Sequence, residues 1–429
     1  MDWGGGRGAT ALPLGYESRR DGVIAPYCWE RIVRRSLGDN VVKYAAMKLM
    51  ATSLNLISKG VVKDMKERIV FLDYLRVVAC FMVMAIHACE PFYLGGEEGT
   101  YIATRSDAVW VTLTEVFCRV CVPLFVMASS FLLFPLQKPT GEFFRRRLGR
   151  IVVPFVLWAC AYVWWFKGDW GQILFNFPAT GGHLWFVPML LGLYMLMPLI
   201  SPWAECVSER ELRGWLFVWG LTTLFPYLRR LWTYLFGEPL FGFGAVPYLY
   251  GECPWNSFGM FHYVSGFIGY MLLGLWFRRF APTMSFKKAL AVALPLWTVG
   301  AAIIGCGFFF RLSGAYPYSA PYAKAVDLEM SIEYCSLGVL LATAAAFLVI
   351  RQISHDGWLY SRVIRPLSEA SYGTYLLHMF VLLPVFEQFR PLMPTPVAIL
   401  ATASVSFALS SFISIAVRKI PKIGSWICG

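Results

Sequence analysis

The 429-residue chain is poor in charge: only 15% of its residues are Asp, Glu, Lys or Arg, against about 25% in an ordinary soluble domain. With 58% hydrophobic and 17% aromatic residues, this scarcity excludes a soluble globular domain and predicts a polytopic membrane protein. A paired-cysteine framework is also lacking. Among the 11 cysteines, Cys118 and Cys121 form one lone C-x-x-C inside an apolar run. That pattern reads as small residues packed between helices, with no metal site expected. Cys89 and Cys253 both fall near one expected membrane face, which leaves a disulfide open. No span repeats another at a fixed period, so repeat architectures have no support. The first 64 residues contain no apolar run long enough for a signal peptide. The net charge of +12 does not call for a nucleic-acid partner, because its Lys and Arg gather in loops and at helix ends.

What the chain does have is long apolar runs. Stretches of about 20 apolar residues, enough for a hydrocarbon core of about 30 Å, fall at 69–89, 108–134, 151–167, 183–201, 213–228, 257–277, 288–310, 333–351, 371–389 and 395–417. Basic residues occupy every second connection: Lys63, Lys66 and Arg68; Arg145, Arg146, Arg147 and Arg150; Arg278, Arg279, Lys287 and Lys288; Arg351, Arg362 and Arg365; and Arg418, Lys419 and Lys422. The predicted fold class is therefore all-α: a transmembrane helical bundle of about ten spans with both termini cytoplasmic. The connection at 229–256, rich in aromatics, Gly and Pro, is expected to form an ordered outer cap or re-entrant segment.

Ionisable groups inside a span are costly and usually functional. Arg76 and His87 share the first span, and 11 residues at about 100° each leave them about 20° apart around a helix and roughly 16 Å apart along it. Asp73 and Cys80 fall near the same stripe, so this face is expected to line a polar cavity. A neutral imidazole, titrating near pH 6.5, suits a general base. A guanidinium deeper in the span suits a phosphate, carboxylate or thioester carbonyl. The plainer reading pairs both groups with neighbouring helices. Ser371, Tyr375 and His378 share one face of the ninth span at i, i+4 and i+7; interhelical hydrogen bonding explains Tyr375 at least as well as catalysis does. Arg146 and Arg150, one turn apart at the cytoplasmic mouth, suit a polyphosphate, although a topology signal alone accounts for a basic loop. His183 and Trp185 open the fourth span, where Trp185 fits either an interfacial belt or a sugar-stacking platform. His262 and His355 have weaker contexts.

In this order the motifs resemble the acyltransferase-3 family of integral-membrane acyltransferases. The resemblance covers about 69–417. It rests on Leu72-Asp73-Tyr74-Leu75-Arg76 with His87, Arg145-Arg146-Arg147-Leu148-Gly149-Arg150-Ile151 with Pro154, and His183-Leu184-Trp185-Phe186 with Tyr194 and Pro198. Ser368 and Ser371-Tyr372-Gly373-Thr374-Tyr375-Leu376-Leu377-His378 complete it. It implies O-acyl transfer, most often of acetyl, from cytoplasmic acyl-CoA to a hydroxyl of a cell-surface polysaccharide or lipid-linked glycan precursor, in a bacterial inner membrane. Residues 65–429 form the membrane acyltransferase domain on this reading. Residues 1–64 have no counterpart and are expected to be a misassigned start, with Met65 as initiator, or a weakly ordered extension. The chain stops shortly after the tenth expected span, which suggests the stand-alone type without an appended esterase-like domain. The expected roles are His87 as base, Arg76 beside the thioester, and Arg146 and Arg150 on the phosphates. Asp73, Ser371, Tyr375, His378, His183 and Trp185 are expected to line the substrate path. The alternatives are a transporter or flippase of a lipid-linked saccharide, or a structural subunit of a glycan-assembly complex.

Overall fold

The computed structural model describes residues 68–94, 102, 104–166, 170, 182–224, 227–228, 235–237, 264–313, 332–421 and 423–429. Residues 1–64, most of the 229–256 connection, Cys253 and His262 lie outside them. The helices run α1 (Val70–Leu94), α2 (Arg105–Cys118), α3 (Cys121–Leu133), α4 (Thr140–Trp165), α5 (Phe186–Cys206), α6 (Glu209–Thr222), α7 (Ile268–Arg279), α8 (Phe286–Ser313), α9 (Leu337–Ile350), α10 (Arg365–Phe389), α11 (Thr395–Arg418) and α12 (Gly424–Cys428). A 3-10 turn at Gly182–Trp185 leads into α5, and a π-helical turn at Tyr360–Ile364 leads into α10. No strand occurs among the described residues.

Six stretches among the described residues are long and apolar enough to cross a membrane: Val70–Tyr93, Arg105–Leu133, Thr140–Trp165, Gly182–Cys206, Phe286–Phe309 and Thr395–Arg418. Leu337–Ile350 is apolar but shorter. The run at 108–134 stands as one candidate span, Arg105–Leu133, built of two helices, α2 and α3, that meet at Arg119 and Val120. Pro123 explains the break: it has no N–H for the carbonyl four residues back, yet fits the first turn of a new helix. The segment carrying Arg145, Arg146, Arg147 and Arg150 is helical from Thr140 onward and is not a loop. Glu142 lies in its first turn, where the helix dipole favours an anion. It pairs with Arg146 one turn on at 2.7 Å and with Lys138 at 2.8 Å, a Glu-before-Arg spacing that supports a helix.

α1 packs against α2, α3, α10 and α11, so the helix bearing Asp73, Arg76 and His87 is enclosed by its neighbours. Leu72, Leu75, Ala79, Met84 and Ala88 of α1 are all buried. α1 and α10 run in the same direction: Asp73 meets Ser368, Cys80 meets the Ser371 carbonyl, and His87 meets His378. Elsewhere the helices close on small residues. A Cβ added to Gly300 of α8 would stand 2.6 Å from the Gly338 carbonyl oxygen of α9, so the backbones touch there with no side chain between them. Leu199, Phe217 and Phe412 remain exposed on the bundle surface, where a bilayer would cover them.

Candidate active site

At the end of the bundle where α1 and α10 begin, Asp73 is the common acceptor of three helical segments. Its carboxylate takes hydrogen bonds from Arg68 at 2.5 and 3.1 Å, from Tyr360 at 2.8 Å and from Ser368 at 2.6 Å, with Arg76 at 3.5 Å. Buried and saturated, this carboxylate fixes cations in place and has little capacity left for a ligand. The same hydrogen bonds raise the pKa of Arg68, outside the span, above its ordinary value.

Beside this hub opens a cavity of about 830 Å³ lined by Arg68, Arg76, Arg147, Arg150, Arg278 and Arg418 against two carboxylates, Asp73 and Glu369. Arg68 binds Glu369 as well as Asp73. Arg278 and Arg418 donate to the carbonyls of Phe134 and Gly429 at 3.1 and 2.6 Å. Among the described residues, Arg147 and Arg150 have no ion pair, so their charge faces the cavity unneutralised. Arg146 is 58% exposed, paired with Glu142, and does not line it. Inward, the lining reaches Ser371, Tyr194, Val83, Phe186 and Tyr375. Val83 stands about 10 Å beyond Arg76 along α1, so the cavity covers most of the rise toward His87.

Tyr375 closes its inner end, donating to the carbonyl of His183 at 2.5 Å with its ring 5.7 Å from that of Phe186. Behind it lie three of the chain's five histidines. The ring centroids are 5.1 Å apart for His87 and His378, 4.9 Å for His183 and His378, and 6.1 Å for His87 and His183. α1, the 3-10 turn and α10 each supply one ring. His87 Nδ1 lies 2.6 Å from a Glu90 carboxylate oxygen, which fixes the proton on Nδ1 and leaves Nε2 as the lone-pair nitrogen. His378 is held in the same tautomer, with Nδ1 2.5 Å from the Tyr375 carbonyl. Nε2 of His378 and Nε2 of His183 are buried with no hydrogen-bond partner. Each such atom costs about 1–3 kcal/mol. Tyr162 covers His183 edge-on at 4.7 Å and donates to the Leu376 carbonyl at 2.9 Å. Among the described residues no group of three His, Cys, Asp or Glu is arranged to hold a metal.

A second buried charge network backs this cluster. Glu90 interacts electrostatically with His87 and with Arg119, the residue at the α2–α3 break. Arg119 donates to the Ile332 carbonyl at 2.6 Å, lies 3.5 Å from Glu115, and sits 4.4 Å over the Tyr334 ring. Tyr93 donates to the other oxygen of Glu115 at 2.9 Å. Glu90, Glu115 and Arg119 are not among the sequence-derived candidates, although a signal exists: Glu90 follows His87 at i+3, and Glu115 and Arg119 are ionisable groups at i,i+4 within an apolar run.

The structure thus divides the sequence-derived candidates between two places. Asp73, Arg76, Arg150 and Ser371 belong to the cavity, and His87, His183 and His378 to the imidazole cluster, with Tyr375 between them. Trp185 packs on Tyr334 and Phe267 at 5.5 and 5.9 Å, beside Arg119 and off the imidazole rings. His355 is an exposed loop residue whose carbonyl accepts from Tyr74 at 3.3 Å. Cys89 is a free thiol lying 3.6 Å from the Val111 carbonyl, so the open disulfide with Cys253 does not form. Cys118 and Cys121 are also free. Chemically, a cationic cavity that ends at Tyr375, with an oriented imidazole behind it, suits binding an anionic donor and accepting a proton beyond its far end. The family model of an acyltransferase domain, acyltransferase-3, matches residues 69–415. No curated protein and no solved structure matches the chain.

Proposed function

From the premise that this chain belongs to the acyltransferase-3 family and is a membrane acyltransferase, we propose that it moves an acetyl group from cytoplasmic acetyl-CoA to a hydroxyl of a surface polysaccharide or lipid-linked glycan precursor. On this reading both termini are cytoplasmic, about ten spans cross a bacterial inner membrane, and residues 65–429 form the membrane domain. The observation that carries the proposal is the shared polar face of α1 and α10. It links an arginine-lined cavity at one end to His87, oriented by Glu90, at the other.

The donor's phosphates sit against Arg147 and Arg150, and the pantetheine arm runs inward past Arg76 and Tyr194 toward Tyr375. The acceptor arrives from the opposite side. His87 Nε2 takes the hydroxyl proton, the oxygen attacks the thioester carbonyl, and the C–S bond breaks. The departing thiolate recovers that proton from His87, so the step balances with no other reactant. Arg76, 30% exposed beside the cavity, offers forked donors near the carbonyl path. The test is transfer of label from radiolabelled acetyl-CoA to a surface-glycan extract by purified protein, with and without His87. Label incorporation that depends on His87 is expected. No incorporation from any acyl-CoA would overturn the reading.

A further inference from the structure

Two nitrogens in the imidazole cluster have no duty in that reaction. Nε2 of His378 and Nε2 of His183 are buried and unpartnered, on side chains 0% and 8% exposed, and both rings adjoin His87. Native proteins rarely leave such atoms unsatisfied, and each one needs an occupant. For His378 the tautomer states what kind. Its Nδ1 proton is committed to the Tyr375 carbonyl, so Nε2 carries a lone pair and takes only a donor. His87 Nε2, set by Glu90, is likewise an acceptor. Two lone-pair nitrogens on rings 5.1 Å apart match two O–H groups on adjacent carbons. An apolar wall stands beside them: Tyr162 stacks on Phe380 at 4.3 Å and meets His183 at 4.7 Å. From there the aromatic surface continues to Trp165, 51% exposed at the C-terminal end of α4 and 5.3 Å from Phe380. Convergent polar atoms beside flat aromatic faces are how a pocket orients a ring that is polar at its edge and apolar on its face.

We infer that His378 and His183 form a hydroxyl-binding subsite beside His87, and that the acceptor presents a vicinal diol: one hydroxyl meets His87 and is acylated while its neighbour is held by His378. His183 takes a further polar group of the same ring. This inference rests on the reading of His87 as the proton acceptor, and it adds that a lone hydroxyl is a poor substrate.

The experiment uses the full chain in lipid nanodiscs with radiolabelled acetyl-CoA and two forms of one surface-glycan extract. One form is native. The other is treated with periodate and then borohydride, which cleaves the C–C bond of each vicinal diol and reduces the carbonyls formed to separated alcohols, so that adjacency is removed. The treated extract is expected to lose at least tenfold in acceptor efficiency; full retention overturns the diol. His378→Leu is expected to raise the acceptor KM at least tenfold with the acetyl-CoA KM unmoved, and His378→Asn, which restores an acceptor atom, recovers part of that loss. His183→Gln provides a second reading should His378→Leu not fold. An unchanged acceptor KM in both His378→Leu and His183→Gln overturns the subsite, as does a loss confined to kcat. Stoichiometric zinc in the purified protein, with activity lost on chelation, overturns it in favour of a metal. Normal transfer by His87→Ala would instead remove the base assignment, an outcome distinct from all of these.

Discussion

The arginine-lined cavity and the imidazole cluster are built on the same two helices, yet they are organised in opposite ways. The cavity is partly exposed and ionic, and its hub is saturated: Asp73 accepts from Arg68, Tyr360 and Ser368, and surplus positive charge remains on Arg147 and Arg150. The cluster is buried and composed of imidazoles, and it is unsaturated, with two nitrogens lacking partners. Under the proposed function the difference follows from two tasks. A polyanion is held by excess charge, which acts over several ångströms and tolerates imprecise placement. Proton transfer requires a lone pair aimed at one atom, and the Nδ1 contacts of His87 and His378 hold those two rings so that Nε2 carries it.

The largest effect expected from this contrast is at His87. His87→Ala should lower kcat by about 10³-fold while the protein stays folded and inserted. A comparable loss from Arg76→Ala, read as kcat at saturating acetyl-CoA, would erase the division of labour between the two regions. Glu90→Gln comes next. It keeps the shape but replaces the carboxylate that holds the Nδ1 proton, so kcat should drop by about 10²- to 10⁴-fold with the acetyl-CoA KM unchanged. If the KM rises instead, Glu90 belongs to the donor side and the boundary at Tyr375 is misplaced. Asp73→Asn should act on structure more than on chemistry. It weakens a buried acceptor shared by the start of α1, the π-helical turn and α10, at a cost of about 2 kcal/mol, measurable as a lower unfolding midpoint in detergent. An unchanged midpoint together with a raised acetyl-CoA KM would make Asp73 a ligand-facing group.

The contrast also explains what a single sequence can reveal. The all-helical class and the polar face of α1 were legible, because apolar length and the spacing of Asp73, Arg76 and His87 are local properties of one segment. The convergence of His87, His183 and His378 was not, since positions 87, 183 and 378 meet only through the packing of α1 and α10 with the 3-10 turn before α5. In the sequence the three belong to separate motifs: His87 with Arg76, His183 with Trp185, and His378 with Ser371 and Tyr375. Pro123 did mark the α2–α3 break, but the surrounding residues are so uniformly apolar that hydropathy reads through it. Arg119 then turns inward at that break, and Glu90 and Glu115 gain their meaning from it.

The smallest effect concerns the basic segment, and it separates a topology signal from a binding site. Sequence spacing favours Arg146 and Arg150 as the anion-binding pair, because on a helix they lie one turn apart. In the folded chain Arg146 is committed to Glu142 at 2.7 Å and lies off the cavity, whereas Arg147 and Arg150 line it without an ion pair among the described residues. Arg150→Ala and Arg147→Ala should each raise the acetyl-CoA KM by about tenfold, the equivalent of one charge-assisted hydrogen bond of about 1.5 kcal/mol, with kcat little altered. Arg146→Ala should change the KM by less than about twofold, since an exposed i,i+4 pair contributes only about 0.3–0.5 kcal/mol. Added salt should narrow the gap between wild type and Arg150→Ala, because screening weakens the interaction that the variant lacks. An Arg146→Ala effect equal to that of Arg150→Ala would mean that the whole basic face of α4 acts as a diffuse field. The cavity would then be selective for charge alone, and recognition of the donor's shape would rest entirely on the apolar passage toward Tyr375.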